Sequence, residues 1–198
     1  MSAGFAIEVA AAAARLIVEE GMEYGPAKRR AARALGRPKA RATELPGNQA
    51  IEDEVRAYLA LFCGDTQPSE LAALRRVARH WMERLREFRP HLAGSVWRGT
   101  ATRHNDVHLH LFCDDSKSAE IALINLGLDF HVGSSGGLRG DTIDVLSLAH
   151  PCAELGAPVL IHLGVHDHDD LRGALRPDAS GRTQRGDLAA LNRLEGHE

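Results

Sequence analysis

The sequence predicts an α+β protein: a helical N-terminal part over residues 1–89, followed over 90–198 by a mixed β-sheet with flanking helices. Two changes of rhythm carry that expectation. Up to residue 88, apolar side chains recur three and four apart, as in Ile51, Val55, Leu59 and Phe62. After Pro90 the period becomes two, with Val107, Leu109 and Leu111 alternating against Asp106, His108 and His110. The composition agrees: 198 residues, 44% hydrophobic and 26% charged, with 24 basic and 27 acidic side chains for a net charge of −3.

The elements follow in order. Residues 3–22 are rich in strong helix formers and meet Gly21 and Gly25 as stop signals. Pro26 suits the first turn of a second helix over 27–35, which Gly36 ends. Asn48 is a candidate N-cap for a third helix, and Pro68 opens a fourth. The stripe Leu71, Leu74, Ala78, Trp81, Leu85 and Phe88 marks the buried face of that fourth helix, with Arg75, Arg76, Arg79, Arg84 and Arg86 mostly off it. Strands are expected at 91–93, 106–113, 128–132, 142–148 and 158–165. Asp114-Asp115-Ser116 supplies N-cap chemistry for a helix over 117–126, which Gly127 terminates. The glycine-rich stretch 133–140 reads as a flexible loop, and 188–194 as a last helix.

Several classes are excluded. A chain of this length buries about 70% of its unfolded surface, so it needs neither disulfide nor metal to fold. The apolar run 9–14 has only Glu8 as a charge before it and is followed by Arg15 and Glu19, which does not fit a secretion signal. No stretch approaches the ~18 apolar residues of a membrane span. Cys63, Cys113 and Cys152 form no C-x-x-C pair, and the first two end hydrophobic runs, so buried, reduced thiols in a cytoplasmic protein are expected.

The chemistry concentrates between Gly94 and Leu111. A short strand leads into Gly94-Ser95, then Arg98-Gly99, then the alternating strand. Gly-Ser at the start of a helical turn leaves backbone N–H groups free for an anion, and glycine lets a phosphate approach the backbone. Polar side chains on one face of the next strand, Asp106 and His108 first, would sit beside that phosphate, where a divalent cation can bridge them. This stretch resembles the signature of the DNA polymerase beta-like nucleotidyltransferase superfamily, in particular its minimal members. Gly94, Ser95, Arg98, Gly99, Ala101, Asp106, Val107 and Leu109 match its pattern without gaps, and Asn105 stands where serine is usual.

The resemblance implies a nucleotidyltransferase-like sheet in which Gly94, Ser95 and Arg98 serve a nucleoside triphosphate. It also implies that Asp106 binds Mg²⁺ or Mn²⁺ and that a nucleotidyl group passes to an acceptor, whether protein, nucleic acid or small molecule. His108 stands where the second metal carboxylate belongs, a poor ligand for a hard cation. For the third carboxylate Asp144 is preferred and Asp129 second, giving Asp106, His108 and Asp144 as the expected catalytic and metal set. The chain is also similar to small proteobacterial proteins, some labelled muramate–alanine ligase. That activity does not fit a short chain without G-x-x-x-x-G-K-[ST] to hold ATP.

Other features carry less. The histidines His104, His108, His110, His162, His166 and His168 cluster, which with Asp106 suggests Zn²⁺ or Mn²⁺ as an alternative to solvated rings. The segment 28–41 is basic and lacks acidic residues, so a nucleic-acid-binding reading competes with a solvated helix face. Arg172, Arg176, Arg182 and Arg185 are candidates to approach a phosphate, and no G-x-S-x-G elbow exists. Three functions follow: a nucleotidyltransferase with a degenerate metal site, a catalytically inactive nucleotide-binding or protein-interaction module, and a nucleic-acid-binding protein using 28–41.

Overall fold

The first helices are held together by alanine. Val9, Ala13, Ala14, Ile17 and Val18 of α1 (Ser2–Glu20) meet Ala27, Ala31 and Ala32 of α2 (Tyr24–Ala34) and Ile51, Val55 and Leu59 of α3 (Asn48–Phe62) in one apolar cluster. Small side chains let the helix axes approach closely, and each buried Val, Ile or Leu contributes about 1.5–3 kcal/mol. Phe62, expected on the apolar stripe of α3, is 64% exposed because it lies on the last turn, beyond the packed face. Cys152 is buried, but Cys63 and Cys113 are only half-buried, which corrects the expectation for those two thiols.

The structure, a computed structural model, describes residues 2–178 and 181–196. By its contacts the chain divides into two compact units, Met1–Leu71 with Thr100–Asn105, and Ala72–Gly99 with Asp106–Glu198. The division falls inside α4 (Gln67–Arg84), so residues 72–89 cluster with the sheet rather than with the preceding helices. The 100–105 loop is tied into the first unit by Thr102, whose hydroxyl donates to the Val18 carbonyl at 3.3 Å, and by Gln67, whose side-chain amide donates to the Ala101 carbonyl at 2.9 Å. Among the described residues no helix is long and apolar enough to cross a membrane.

The second unit is built on a six-stranded sheet in the order β3-β4-β5-β2-β1-β6. Its strands are β1 (His91–Ala93), β2 (Val107–Cys113), β3 (His131–Gly136), β4 (Thr142–His150), β5 (Val159–Asp167) and β6 (Arg185–Gly186). Only β2 and β5 run parallel, so the sheet is mixed and the α+β class is as expected. Four more helices complete the unit: α5 (Gly94–Arg98), α6 (Ser116–Asn125), α7 (Leu171–Ala174) and α8 (Leu188–Leu194). Asp115 caps α6 by accepting from the Lys117 backbone N–H at 3.0 Å.

Two elements depart from the sequence pattern. The third strand runs through Gly133–Gly136, which composition marks as loop, because the ladder to β4 pairs each of those residues with 142–145. Pairing at a sheet edge overrides weak strand propensity. The two-residue β6 was not expected; it exists because Gly186 and Arg185 pair with Leu92 and Ala93.

Register sorts the side chains by face, since residues level with one another across a sheet point the same way. Val107, Leu109 and Leu111 are level with Ile161, Leu163 and Val165, and these with Leu148, Leu146 and Asp144. All but Asp144 are buried, which makes this the core face. The opposite face carries His108 and His110 of β2, His162 and His166 of β5, Ser147 of β4, His91 of β1 and Arg185 of β6. Phe112 and Ile143 share this face, and His91, Phe112 and His166 on it are buried, so it is a partly covered polar layer rather than an open surface.

Candidate functional site

The turn after β1 is shaped by Gly94, whose φ of +73° is a conformation that favours glycine. Ala93 pairs with His108, so the Gly94-Ser95 turn lies directly beside the strand that Asp106 leads into. A Cβ at Gly94 would sit 3.5 Å from the His108 ring, ordinary contact, so conformation rather than space demands glycine here. Arg75 of α4 braces the turn by donating from Nε to the Val96 carbonyl at 3.3 Å. Arg98 closes α5, and Gly99 follows in the left-handed conformation at φ +79°.

Asp106 and His108 share a face with His162. The Asp106 carboxylate oxygen Oδ2 accepts from His162 Nε2 at 3.1 Å, and the Ser147 hydroxyl donates to His162 Nδ1 at 2.8 Å. A carboxylate only accepts, so the pairing places the ring proton on Nε2 and the lone pair on Nδ1. The His108 and His162 rings stack with centroids 5.0 Å apart.

A second pair lies further along the strands. His110 Nδ1 and His166 Nε2 are 2.5 Å apart and their rings stack at 4.6 Å. Burial, then the Arg185 guanidinium, then the neighbouring histidines push the His110 pKa down to about 3. Burial and Arg185 also lower His166, and burial lowers His91, whose Nδ1 donates to the Arg89 carbonyl at 2.8 Å. These rings are neutral at neutral pH, and one ring's N–H donates to the lone pair of the other.

The expected third carboxylate is elsewhere. Asp144 is level with Val165 and Leu111 on the core face, the face opposite Asp106 and His108. The β4 residue level with Val107 is Leu148, four residues and ~13 Å along the strand from Asp144. Its near neighbour is Lys117 of α6, with Nζ at 3.8 Å. Asp129 precedes β3, three strands and ~14 Å across the sheet from β2. Neither acid joins Asp106, because a strand's alternation and register together decide which face an acid reaches.

The donor set therefore does not suit the divalent cation that the motif implies. Asp106 is one carboxylate, already accepting from His162, and its neighbours on that face are imidazoles, whereas Mg²⁺ takes several hard oxygens. Among the described residues no group of three or more His, Cys, Asp or Glu side chains is arranged to hold a metal ion.

The sequence pattern names His162 in a histidine cluster and Arg185 as a candidate to approach a phosphate, but it does not point to Ser147 or bring the three together. The signal was present in β5, where His162, Gly164 and His166 alternate with Ile161, Leu163 and Val165 just as His108 and His110 alternate with Val107, Leu109 and Leu111. Arg185 is carried by β6, which Trp97 holds in place: Trp97 Nε1 donates to the Thr183 carbonyl at 2.8 Å and its ring fills the space beside Gly186. In the basic segment 28–41, Lys28 donates to Asn48, and Arg30 and Arg37 pair with Glu20 and Glu44.

No protein-family model matches the chain, and no curated protein matches it. Two structures of the Cid1 poly(U) polymerase are similar over 49% of this chain, both at 18% identity. One has MgGTP bound, with a TM-score of 0.35; the other is the complex with the UTP analog UMPNPP, at 0.34. The matched part of this chain spans about a third of those polymerases, 32% and 30% of their lengths.

Proposed function

We propose that this protein is a nucleotidyltransferase-like nucleotide-binding protein whose metal site is degenerate, so that it binds a nucleotide without transferring it. In this reading Gly94, Ser95 and Arg98 receive the phosphates, as the motif they form implies. Asp106 has exchanged the role of metal ligand for that of hydrogen-bond acceptor to His162. The observation that supports it is the pairing of Asp106 with His162 on one face while Asp144 occupies the other. Two-metal phosphoryl transfer needs carboxylates converging on both ions to place them and to offset charge in the transition state. One carboxylate among imidazoles supplies neither the oxygen ligands nor the negative charge.

The test is a thermal-shift series with ATP, GTP, CTP and UTP, each in EDTA and in Mg²⁺ or Mn²⁺, run beside an assay for released pyrophosphate. At a nucleotide concentration of 100 times Kd the expected stabilisation is about 2.7 kcal/mol, a rise in Tm of about 5–10 °C. That rise should persist in EDTA, with no pyrophosphate released. No shift with any nucleotide overturns the binding, and metal-dependent pyrophosphate release overturns the inactivity.

A further inference from the structure

Among the described residues, Arg185 on the polar face of the sheet is a cation without an ion-pair partner. Arg185 stands on β6, level with Ala93, whose small side chain leaves its guanidinium free to lie over β1 and β2. Its Nε and Nη1 are buried and have no hydrogen-bond partner. No carboxylate among the described residues forms an ion pair with it; its charge is felt at His91, His110 and His166, where Asp187 acts on His91, and Asp170 and Asp141 on His166, in the opposite sense. Two buried guanidinium N–H groups with no acceptor, on a half-buried arginine, are costly to hold, so a chain that keeps them there has a use for the charge. Its support is rigid. Trp97 of the motif helix hydrogen-bonds to the Thr183 carbonyl and packs on Gly186, fixing β6 from both sides of Arg185.

We propose that Arg185 is the centre of a metal-independent binding site for a phosphoryl oxyanion on the histidine-bearing face of the sheet. The side-on fork of the guanidinium, Nε with the adjacent Nη2, donates to two oxygens of a tetrahedral phosphate, the planar two-point geometry for which arginine is suited and lysine is not. The neutral rings of His91 and His110 border the site; the one N–H of His91 is already given to the Arg89 carbonyl, and His110 offers Nε2–H when His166 donates to its Nδ1. The same oxyanion arrives either as free phosphate or pyrophosphate or as part of a nucleotide. This site needs neither Gly94-Ser95 nor a metal, so it stands or falls separately from the nucleotide reading.

The experiment uses the full chain in EDTA and compares wild type with Arg185→Met, Arg185→Gln and Arg185→Lys. Calorimetry and thermal shift are run with inorganic phosphate, pyrophosphate, ATP and adenosine. Wild type should bind pyrophosphate, and Arg185→Met and Arg185→Gln should bind it at least tenfold more weakly, with Arg185→Lys in between. Without ligand, the Tm of Arg185→Met should equal or exceed that of wild type, because two buried donors with no acceptor have been removed. The phosphate-induced rise in Tm should vanish in the same variant. Failure of wild type to bind phosphate or pyrophosphate overturns the site. So does undiminished binding by Arg185→Gln, or a lowered Tm in Arg185→Met that keeps its phosphate response. ATP binding no tighter than pyrophosphate, with adenosine inert, would refute the nucleotide reading and leave the oxyanion site standing.

Discussion

The carboxylate of Asp106 and the ring of His162, 56 positions apart in the chain, meet at 3.1 Å because β2 and β5 run parallel with His108 level with His162. The contact is part-exposed, with 40% of the Asp106 side chain accessible. Pairs of that kind contribute 0 to about 1 kcal/mol. Asp106→Asn should therefore lower stability by less than about 1 kcal/mol in urea unfolding, while leaving the fold unchanged by circular dichroism. A loss of several kcal/mol would mean that the pair is a structural keystone rather than part of a site.

His108→Asp returns a second carboxylate to the face of Asp106, two residues along the same strand. Two acids adjacent on one face bind a divalent cation far better than one acid beside imidazoles. Mn²⁺ affinity, read by electron paramagnetic resonance, should rise at least about tenfold over wild type. Unchanged affinity would mean that the missing carboxylate at 108 is not what limits metal binding.

Stability should fall with acid through the histidine layer. His110 has its pKa lowered from 6.5 to about 3, and His166 and His91 move in the same direction, each mainly through burial. A lowered folded-state pKa means that the unfolded chain binds more protons at pH values between the two. The native state is therefore favoured in full above about pH 6.5 and progressively less as the pH drops toward 3. The loss from His110 alone is on the order of a few kcal/mol near pH 4. Urea unfolding at pH 7.5 and pH 5 should show it, and His110→Gln should flatten the difference.

Two glycines are required for different reasons, and alanine tests separate them. At Gly186 a Cβ would fall 2.2 Å from Trp97 Cη2, so Gly186→Ala must move the indole or β6, costing about 1–3 kcal/mol. At Gly94 there is room, but φ is +73°, so Gly94→Ala costs about 1–2 kcal/mol through the backbone alone. Thermal unfolding with tryptophan fluorescence distinguishes them: Gly186→Ala should shift the native emission as Trp97 moves, and Gly94→Ala should not.

Much of the architecture was legible from local pattern. The stripe Leu71, Leu74, Ala78, Trp81, Leu85 and Phe88 reads as one buried face, and all of these side chains but Leu71, which is half-buried, are buried. The alternation of 106–113 predicted a strand with apolar residues on one side, and β2 buries Val107, Leu109 and Leu111. Helical and strand periods are properties of consecutive residues, so they can be read before anything folds. Gly94 beside a polar strand was legible for the same reason, since only a short turn and one hairpin-like pairing separate the two.

The partners of Asp106 were not legible. Asp144 sits on an alternating strand just as Asp106 leads into one, and nothing in either segment says which of its faces will turn toward the other. That is decided by the register of β4 on β5 and of β5 on β2, where a slip of one residue would exchange the faces. The register follows from burying Leu146, Leu148, Ile161 and Leu163 together, a condition on the whole sheet. It carries Asp144 to the core face and brings Ser147, His162 and Arg185 to the side of Asp106. Sequence determined which segments are strands and helices, because hydrophobic period is local. Tertiary structure alone decided which polar side chains meet, because a sheet aligns its strands through apolar burial on one face and the other face inherits whatever that alignment brings.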